Sequence, residues 1–363
     1  MQYQFVKIKA AAVQAAPVYL DGEATADKAC NFIKEAATNG ASIIAFPEAY
    51  IPGYPHWVWL DSPGDEDRFF KLFVRNCVNI PGPITDRLCQ MAREYNIYVI
   101  IGINETSPYS FAEIFNTNLL LNPEGQIFGR HRKIMPTYAE KLVWSFGDGS
   151  SLRTYDTGVG RLGTLICGEN TNSLARFALI AQAEQIHVSN YPAHPTKGRY
   201  DLKKAIEIRS ATHSFEGKLF NIVSSSIIND EMRNVLGDTK EKQEVLANAG
   251  NGFTGIIGPD GKAIAGPIED DEEDIVYADI DLGESIKWKQ FHDISGNYNR
   301  FDILSLALNR ESRVPIKRWE DTRKFDVQKT ELLSRFKKKL NEIDEPQLKS
   351  ELFMLFNEIN EAN

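Results

Sequence analysis

Apolar runs of strand length alternate with amphipathic segments of helix length through most of this chain, and that alternation constrains its fold more than any other feature. The first unit spans an apolar run over residues 5–16, a helical ATADKACNFIKEAATNG closed by Asn39-Gly40, and the apolar ASIIAFPE. Strand-type runs on either side of a capped amphipathic helix read as a βαβ unit. The helical ITDRLCQMAREYN then leads into IYVIIGINE. The second half repeats the pattern through RLGTLIC, SLARFALIAQAEQ, IHVSNYP, a helix over 201–217 and LFNIVSSSII. Long βα alternation with short connections is the signature of an α/β fold.

Two hairpin signals interrupt it. LLLNPEGQIFG (119–129) and GIIGPDGKAIAG (255–266) share one pattern, in which Pro, an acid and Gly separate two apolar stretches. Pro followed by acid-Gly is turn chemistry. One hairpin in each half implies an internally duplicated arrangement: two mixed sheets, each with helices on one face, packed through their other faces. The expected fold is therefore a four-layer α-β-β-α sandwich.

The character changes after about residue 310, where the chain becomes charge-rich. Leu332, Leu333, Phe336 and Leu340, then Leu348, Leu352, Leu355, Phe356 and Ile359, fall at helical spacing. The expected division is a catalytic domain over 1–310 and an amphipathic helical tail over 311–363. The tail either lies on its own subunit or contributes to contacts between subunits.

Composition removes several classes of function. With 42% hydrophobic residues the chain of 363 can bury a large core, which excludes disorder. Its formal charge of -9 and the lack of any basic run with interleaved aromatics argue against nucleic acid as a partner. Cys30, Cys77, Cys89 and Cys167 lie far apart without a C-x-x-C pair, so neither a disulfide framework nor a Cys-rich zinc site is expected. The amino-terminal MQYQFVKIKAAAVQAAPVYL lacks the order of a secretory signal, and no run of about 18 apolar residues occurs. The expectation is a cytoplasmic protein with no membrane partner.

Cys167 stands out chemically. Six strand-type residues precede it and the helical NSLARFALIAQ follows, with Asn172 or Ser173 as N-cap. A tight strand-to-helix turn projects a side chain out of the core and leaves the amides after it without helical partners. A thiolate there is expected to be exposed, favoured by the helix dipole and close to oxyanion donors, with Gly168 allowing close backbone approach to a substrate. Core filling is the competing role for any cysteine. None of the six histidines is an obvious base, and His187, inside the apolar IHVSN, reads as a core residue. Carboxylate and ammonium groups supply the alternative: Glu48 ends the strand SIIAFPE, and Lys133 follows the second strand of the first hairpin. Strand ends are where α/β enzymes place their sites.

The blocks AFPEAYIPGYP, HRKIMPTYAEKLVWSFGDGS and TLICGENTNSLARFALIAQAEQIHVSNYP resemble those of the nitrilase branch of the carbon-nitrogen hydrolase superfamily, in the right order. The resemblance implies the α-β-β-α sandwich and a Glu-Lys-Cys triad at Glu48, Lys133 and Cys167, with a second family glutamate at Glu140. It implies hydrolysis of an organic nitrile to the acid and ammonia through a cysteine thioimidate and thioester, with no metal or organic cofactor. It also implies a homo-oligomer, a dimer or a larger spiral. An amidase or carbamoyl-amide hydrolase with the same triad is the alternative activity, and a non-catalytic filament-forming scaffold is a third. Two departures stand out: Gly168 replaces the tryptophan that many nitrilases carry after the cysteine, and DISGNYNRFD has Asn297 and Phe301 where the family has His and Pro. Tyr54, Trp57, Trp59, Tyr191 and Pro192, aromatic or beside an aromatic near strand ends, are the candidate pocket walls.

Overall fold

The computed structural model describes residues 5–65, 67–195, 200–247, 249 and 252–316, with 334–336, 338, 340, 348 and 352 beyond them. The first half runs β1 (Lys7–Gln14), α1 (Gly22–Thr38), β2 (Ile43–Ala45), α2 (Asp67–Asn76), α3 (Pro83–Glu94), β3 (Tyr98–Thr106), β4 (Ile114–Leu121) and β5 (Ile127–Arg132). The second runs β6 (Tyr155–Thr157), β7 (Gly160–Ile166), α4 (Ser173–Ile180), β8 (Ile186–Tyr191), α5 (Leu202–Gly217), β9 (Phe220–Ser225), α6 (Asp230–Leu236), α7 (Lys240–Ala247), β10 (Gly255–Ile257), β11 (Ala263–Ala265), β12 (Asp274–Asp281) and α8 (Ser285–Lys289).

The strands form two leaves, ordered β12-β1-β2-β3-β4-β5 and β6-β7-β8-β9-β10-β11. Among the described residues a single pair, Gln14 with Ser225, joins them. Each half repeats strand, helix, strand, helix, strand and hairpin: β1-α1-β2-α3-β3 with β4-β5, then β7-α4-β8-α5-β9 with β10-β11. The duplication expected from the two Pro-acid-Gly hairpins is therefore present. Both turns place their glycine in the left-handed region, Gly125 at φ 73 and Gly261 at φ 80, where a side chain would be strained.

Alternation along the strands builds the layers, because successive side chains face opposite ways. Val13, Ile44 and Ile101 point outward against Ala29 and Ile33 of α1 and Leu88 of α3. Ala10, Ala12 and Ile100 point inward and meet Leu162, Val188 and Ile222 of the other leaf. Leu165 packs outward under Ala178 and Leu179 of α4, and Val223 under Leu202 and Ile206 of α5. Helix, sheet, sheet and helix are thus stacked as expected. The helices start where side chains satisfy their first free amides: Asp21 accepts from Ala24, Asn172 from Leu174 and Ala175, and Asp201 from Lys204.

Strands β1, β2 and β3 are parallel, β4 reverses and β5 reverses again, so β2 and β5 run the same way. Strand β7 shares that direction through β8, β9 and β1. The carboxyl ends of β2, β5 and β7 consequently meet at one end of the sandwich.

Past α8, the side chain of Asn297 accepts from the Asp293 amide and donates to the Lys289 and Gln290 carbonyls, while Phe301 is exposed. Arg313–Asn363 forms a separate compact unit. Phe336, Leu340, Leu348 and Leu352 are helical there; Leu332, Leu333, Leu355, Phe356 and Ile359 of the expected stripes lie outside the described residues. No helix among the described residues is long and apolar enough to cross a membrane.

Gly102 on β3 lets the segment carrying Glu48 pass against the sheet: a Cβ there would lie 2.2 Å from the Pro47 carbonyl oxygen and 2.5 Å from the Ala49 nitrogen. Both neighbours are backbone and cannot swing away. Gly102→Ala should therefore lower the unfolding free energy by about 1–3 kcal/mol, as overpacking does. Urea denaturation against the unaltered chain reads this directly, and an unchanged midpoint would show that the close approach is not required.

Candidate active site

Glu48 lies just beyond β2, and Lys133 and Cys167 directly follow β5 and β7. The Lys133 side chain is 0% exposed, and its ammonium donates to Glu48 Oε1 and Glu140 Oε2, each at 2.7 Å. Asn116 Nδ2 donates to the same Glu48 oxygen at 2.7 Å. Glu48 Oε2 has no hydrogen-bond partner among the described residues. Glu140 is held at both oxygens, by the Tyr54 hydroxyl at 2.9 Å on Oε1 and by the Thr137 amide at 2.6 Å on Oε2. Tyr54 in turn accepts from Trp59 Nε1 at 3.0 Å. One glutamate is fully committed, and the other keeps an oxygen spare.

The charges follow from this packing. Burial pushes Glu48 up, and the nearby Glu140 charge adds to it, so that Lys133 and Asn116 leave it at about 7. Burial opposes the Lys133 ammonium, but the Glu140 and Glu48 carboxylates outweigh burial and hold it charged. The Cys167 thiol is raised well above its ordinary value by burial and then by the Glu48 charge, against the pull of Lys133. This corrects the expectation of a thiolate favoured by a helix dipole. Cys167–Thr171 forms a 3-10 turn, and α4 begins only at Ser173. The resting group is a thiol.

That turn is braced from both sides. Cys167 adopts φ 47, a conformation that is uncommon for a residue with a side chain. Asn170 Nδ2 donates to the carbonyls of Leu165 and Cys167, each at 3.1 Å. Glu169 accepts from the Ile166 amide at 2.9 Å, from the Ile134 amide at 2.7 Å and from His131 Nε2 at 2.9 Å. It therefore ties the Cys167 turn to the backbone beside Lys133. Against the upward push of burial, His131 and the two amides hold Glu169 below the usual carboxylate range. Behind the turn His187 is buried, as its apolar strand implied, with Nε2 3.0 Å from Asn170 Oδ1 and Nδ1 2.7 Å from Glu184. Glu184, His187 and His213 approach within metal-ligating distance of one another. Their facing atoms are engaged mutually, with His213 Nε2 2.8 Å from the second Glu184 oxygen, and the group buttresses Asn170.

A cavity of about 330 Å³ opens over Cys167, Gly168 and Glu140. Trp59 and Pro192 line it, together with Thr137, Tyr138, His194, Tyr200, Leu202 and Arg209, which sequence reading missed. The other candidate walls lie elsewhere. Tyr54 is buried behind Glu140, which it holds. Trp57 is a core residue stacked on Phe69 at 5.6 Å, and Tyr191 is fully buried in the cluster under α5. A Cβ at Gly168 would meet Thr137 Oγ1 at 3.0 Å, so the glycine leaves room on that wall. Asn116 also escaped sequence reading, although polar Asn116 and Asn118 within the apolar strand β4 were a visible signal.

The carbon-nitrogen hydrolase family model matches residues 9–290. An aliphatic nitrilase of Rhodococcus rhodochrous is 36% identical over 313 residues, covering 85% of this chain and 84% of that protein. A nitrilase of Bacillus sp. (strain OxB-1) is 37% identical over 314 residues, covering 86% and 91%. Among solved structures, a Saccharomyces cerevisiae member of branch 10 of the nitrilase superfamily superposes with a TM-score of 0.61 at 21% identity, covering 80% of this chain and 95% of that one. An amidase from Nesterenkonia sp. AN1 superposes with a TM-score of 0.57 at 15% identity, covering 77% and 92%. The family model spans most of the chain, and the nitrilases share more than a third of its residues over that span. The chain belongs to the carbon-nitrogen hydrolase family and, within it, to the nitrilase branch.

Proposed function

We propose that this chain hydrolyses organic nitriles to the carboxylic acid and ammonia, with Cys167 as nucleophile, Glu48 as general base and acid, Lys133 as the stabiliser of developing negative charge, and Glu140 as the group that holds Lys133. The single observation that carries this reading is the division of labour on Glu48. One of its oxygens is pinned by Lys133 and Asn116, the other is buried without a partner among the described residues, and its charge is felt at the Cys167 thiol. A carboxylate with a free oxygen near a neutral thiol can take a proton from it.

The chemistry then balances. Glu48 takes the thiol proton as sulfur bonds to the nitrile carbon, and it returns that proton to nitrogen, giving a thioimidate. A water adds to the same carbon and Glu48 carries its two protons to nitrogen in turn, the first as the C–O bond forms and the second as the hydroxyl becomes a carbonyl; the C–N bond breaks, ammonia leaves and a thioester remains. A second water adds, the C–S bond breaks, the acid departs and the thiol regains its proton. Lys133 spends two N–H groups on the carboxylates, which leaves its third for charge building on the substrate nitrogen. Gly168, on the cavity wall after Cys167, offers its backbone to the same region.

Ammonia release from aliphatic, arylaliphatic and aromatic nitriles, run beside the amides of the same acids, tests the reading. At least one nitrile should be turned over faster than its amide. Cys167→Ala should lose activity by about four orders of magnitude or more, as removal of a nucleophile does, while thermal unfolding stays close to the parent. Amides alone as substrates would make the chain an amidase. No turnover of either, or full activity in Cys167→Ala, would defeat the proposal.

The pH profile should follow Glu48, which is held at about 7. Only its ionised form accepts the thiol proton, so kcat/KM should fall about tenfold per unit as the pH drops below that value, and level off above it. The Asn116 hydrogen bond lowers Glu48. Asn116→Ala should therefore move the acid limb to higher pH, and a limb that stays in place or moves down would remove Glu48 as the base.

A further inference from the structure

We infer that the preferred nitrile carries a carboxylate at its far end and that Arg209 binds it, which rests on the nitrile-hydrolysing reading above. Arg209, on α5, lines the cavity that contains Cys167. Trp59, Pro192 and Leu202 make apolar walls there. Of the titratable groups in the lining, Glu140 is committed to Lys133, Tyr54 and Thr137. His194 is pushed down to about 4 by burial and is neutral near pH 7. Arg209 is therefore the one fixed positive charge among the described residues of the wall.

The Arg209 guanidinium donates to the Tyr200 hydroxyl and sits 5.9 Å from the centre of that ring, and no acidic group pairs with it among the described residues. Other arginines withdrawn from water in this domain are paired: Arg132 with Glu105, Arg161 with Asp156 and Arg176 with Glu216. A phenol orients a guanidinium without neutralising it. A half-buried cation beside apolar walls is stabilised by an anion, and the planar fork, with its remaining N–H groups, matches a carboxylate bidentately. At the Cys167 thiol, its effect ranks behind burial, Glu48, Lys133 and Glu140. The one side-chain hydrogen bond of Arg209 among the described residues, to Tyr200, leaves N–H groups for a ligand in the cavity. That ligand is an anionic nitrile, and its product is a dicarboxylate. On a chain of charge -9 such a substrate needs a local cation.

The test compares the mononitriles of succinic, glutaric and adipic acid, each with its methyl ester, in the unaltered enzyme, Arg209→Gln and Arg209→Lys. The acid-to-ester ratio of kcat/KM should exceed one in the unaltered enzyme. It should fall about 10- to 100-fold in Arg209→Gln, the range that hydrogen bonds to a charged group command, mainly through KM. Arg209→Lys should restore part of it. Equal ratios in the unaltered enzyme and Arg209→Gln, or acid and ester losing rate together, would overturn the inference. Should no nitrile react, the nitrile-hydrolysing reading fails by itself, and calorimetric titration of glutarate into Cys167→Ala still decides the subsite. Binding that weakens about tenfold or more on adding Arg209→Gln supports the inference; equal affinity, or no binding to Cys167→Ala, overturns it.

Discussion

An ammonium buried between two carboxylates is the interaction on which the rest of the site depends. Lys133, Glu48 and Glu140 set two carboxyl groups on one ammonium, with all three side chains buried. Such clusters do little for stability, because desolvation consumes the Coulombic gain, yet losing one member costs about 3–5 kcal/mol by leaving a buried charge unpaired. Their donors offset part of the cost: Asn116 on Glu48, Tyr54 and the Thr137 amide on Glu140. What the cluster yields is chemical. Lys133 stays charged, and Glu48 sits near neutrality, where a base can both take and return a proton.

The duplicated sandwich brings these groups together. Parallel strands in both leaves end at one side, so three residues separated by as many as 119 positions, 48 to 167, meet without any long excursion of the chain. Precision then comes from backbone contacts rather than from the strands themselves. Gly102 admits the Glu48 segment, Glu169 links the amides of Ile134 and Ile166, and Asn170 clamps the carbonyls around Cys167. The thiol therefore sits on a bent but well-supported turn.

Much of this architecture was legible because it is written in local chemistry. Apolar runs of strand length marked the strands, Pro-acid-Gly the hairpins, Asn39-Gly40 a helix end and Asn172 a helix start. Glu48, Lys133 and Cys167 stood out together because they end separate strand-type runs, and it was the resemblance of the blocks around them that singled them out as a triad. The aromatic residues could not be sorted in this way. Tyr54, Trp57 and Trp59 follow one another closely, and only the 3-10 turn at His56–Trp59 decides which face the cavity. Helix α2, and α6 with α7, went unread because their burial depends on partners distant in sequence. Tyr200 and Arg209 are silent for the same reason: nothing in a half-exposed helix face distinguishes an arginine paired with solvent from one lining a cavity.

On the proposed chemistry, Cys167 becomes covalently attached to the substrate carbon while Cys30, Cys77 and Cys89 do not. Acid-quenching the enzyme during turnover of a nitrile, followed by proteolysis and mass spectrometry of the cysteine peptides, tests it most directly. The expected result is an acyl or imidoyl adduct confined to the peptide carrying Cys167, at higher occupancy in Glu140→Gln, where the water steps lose the support of a correctly held Lys133. Steady turnover with Cys167 unmodified at every quench time, or an adduct on another cysteine, would contradict it.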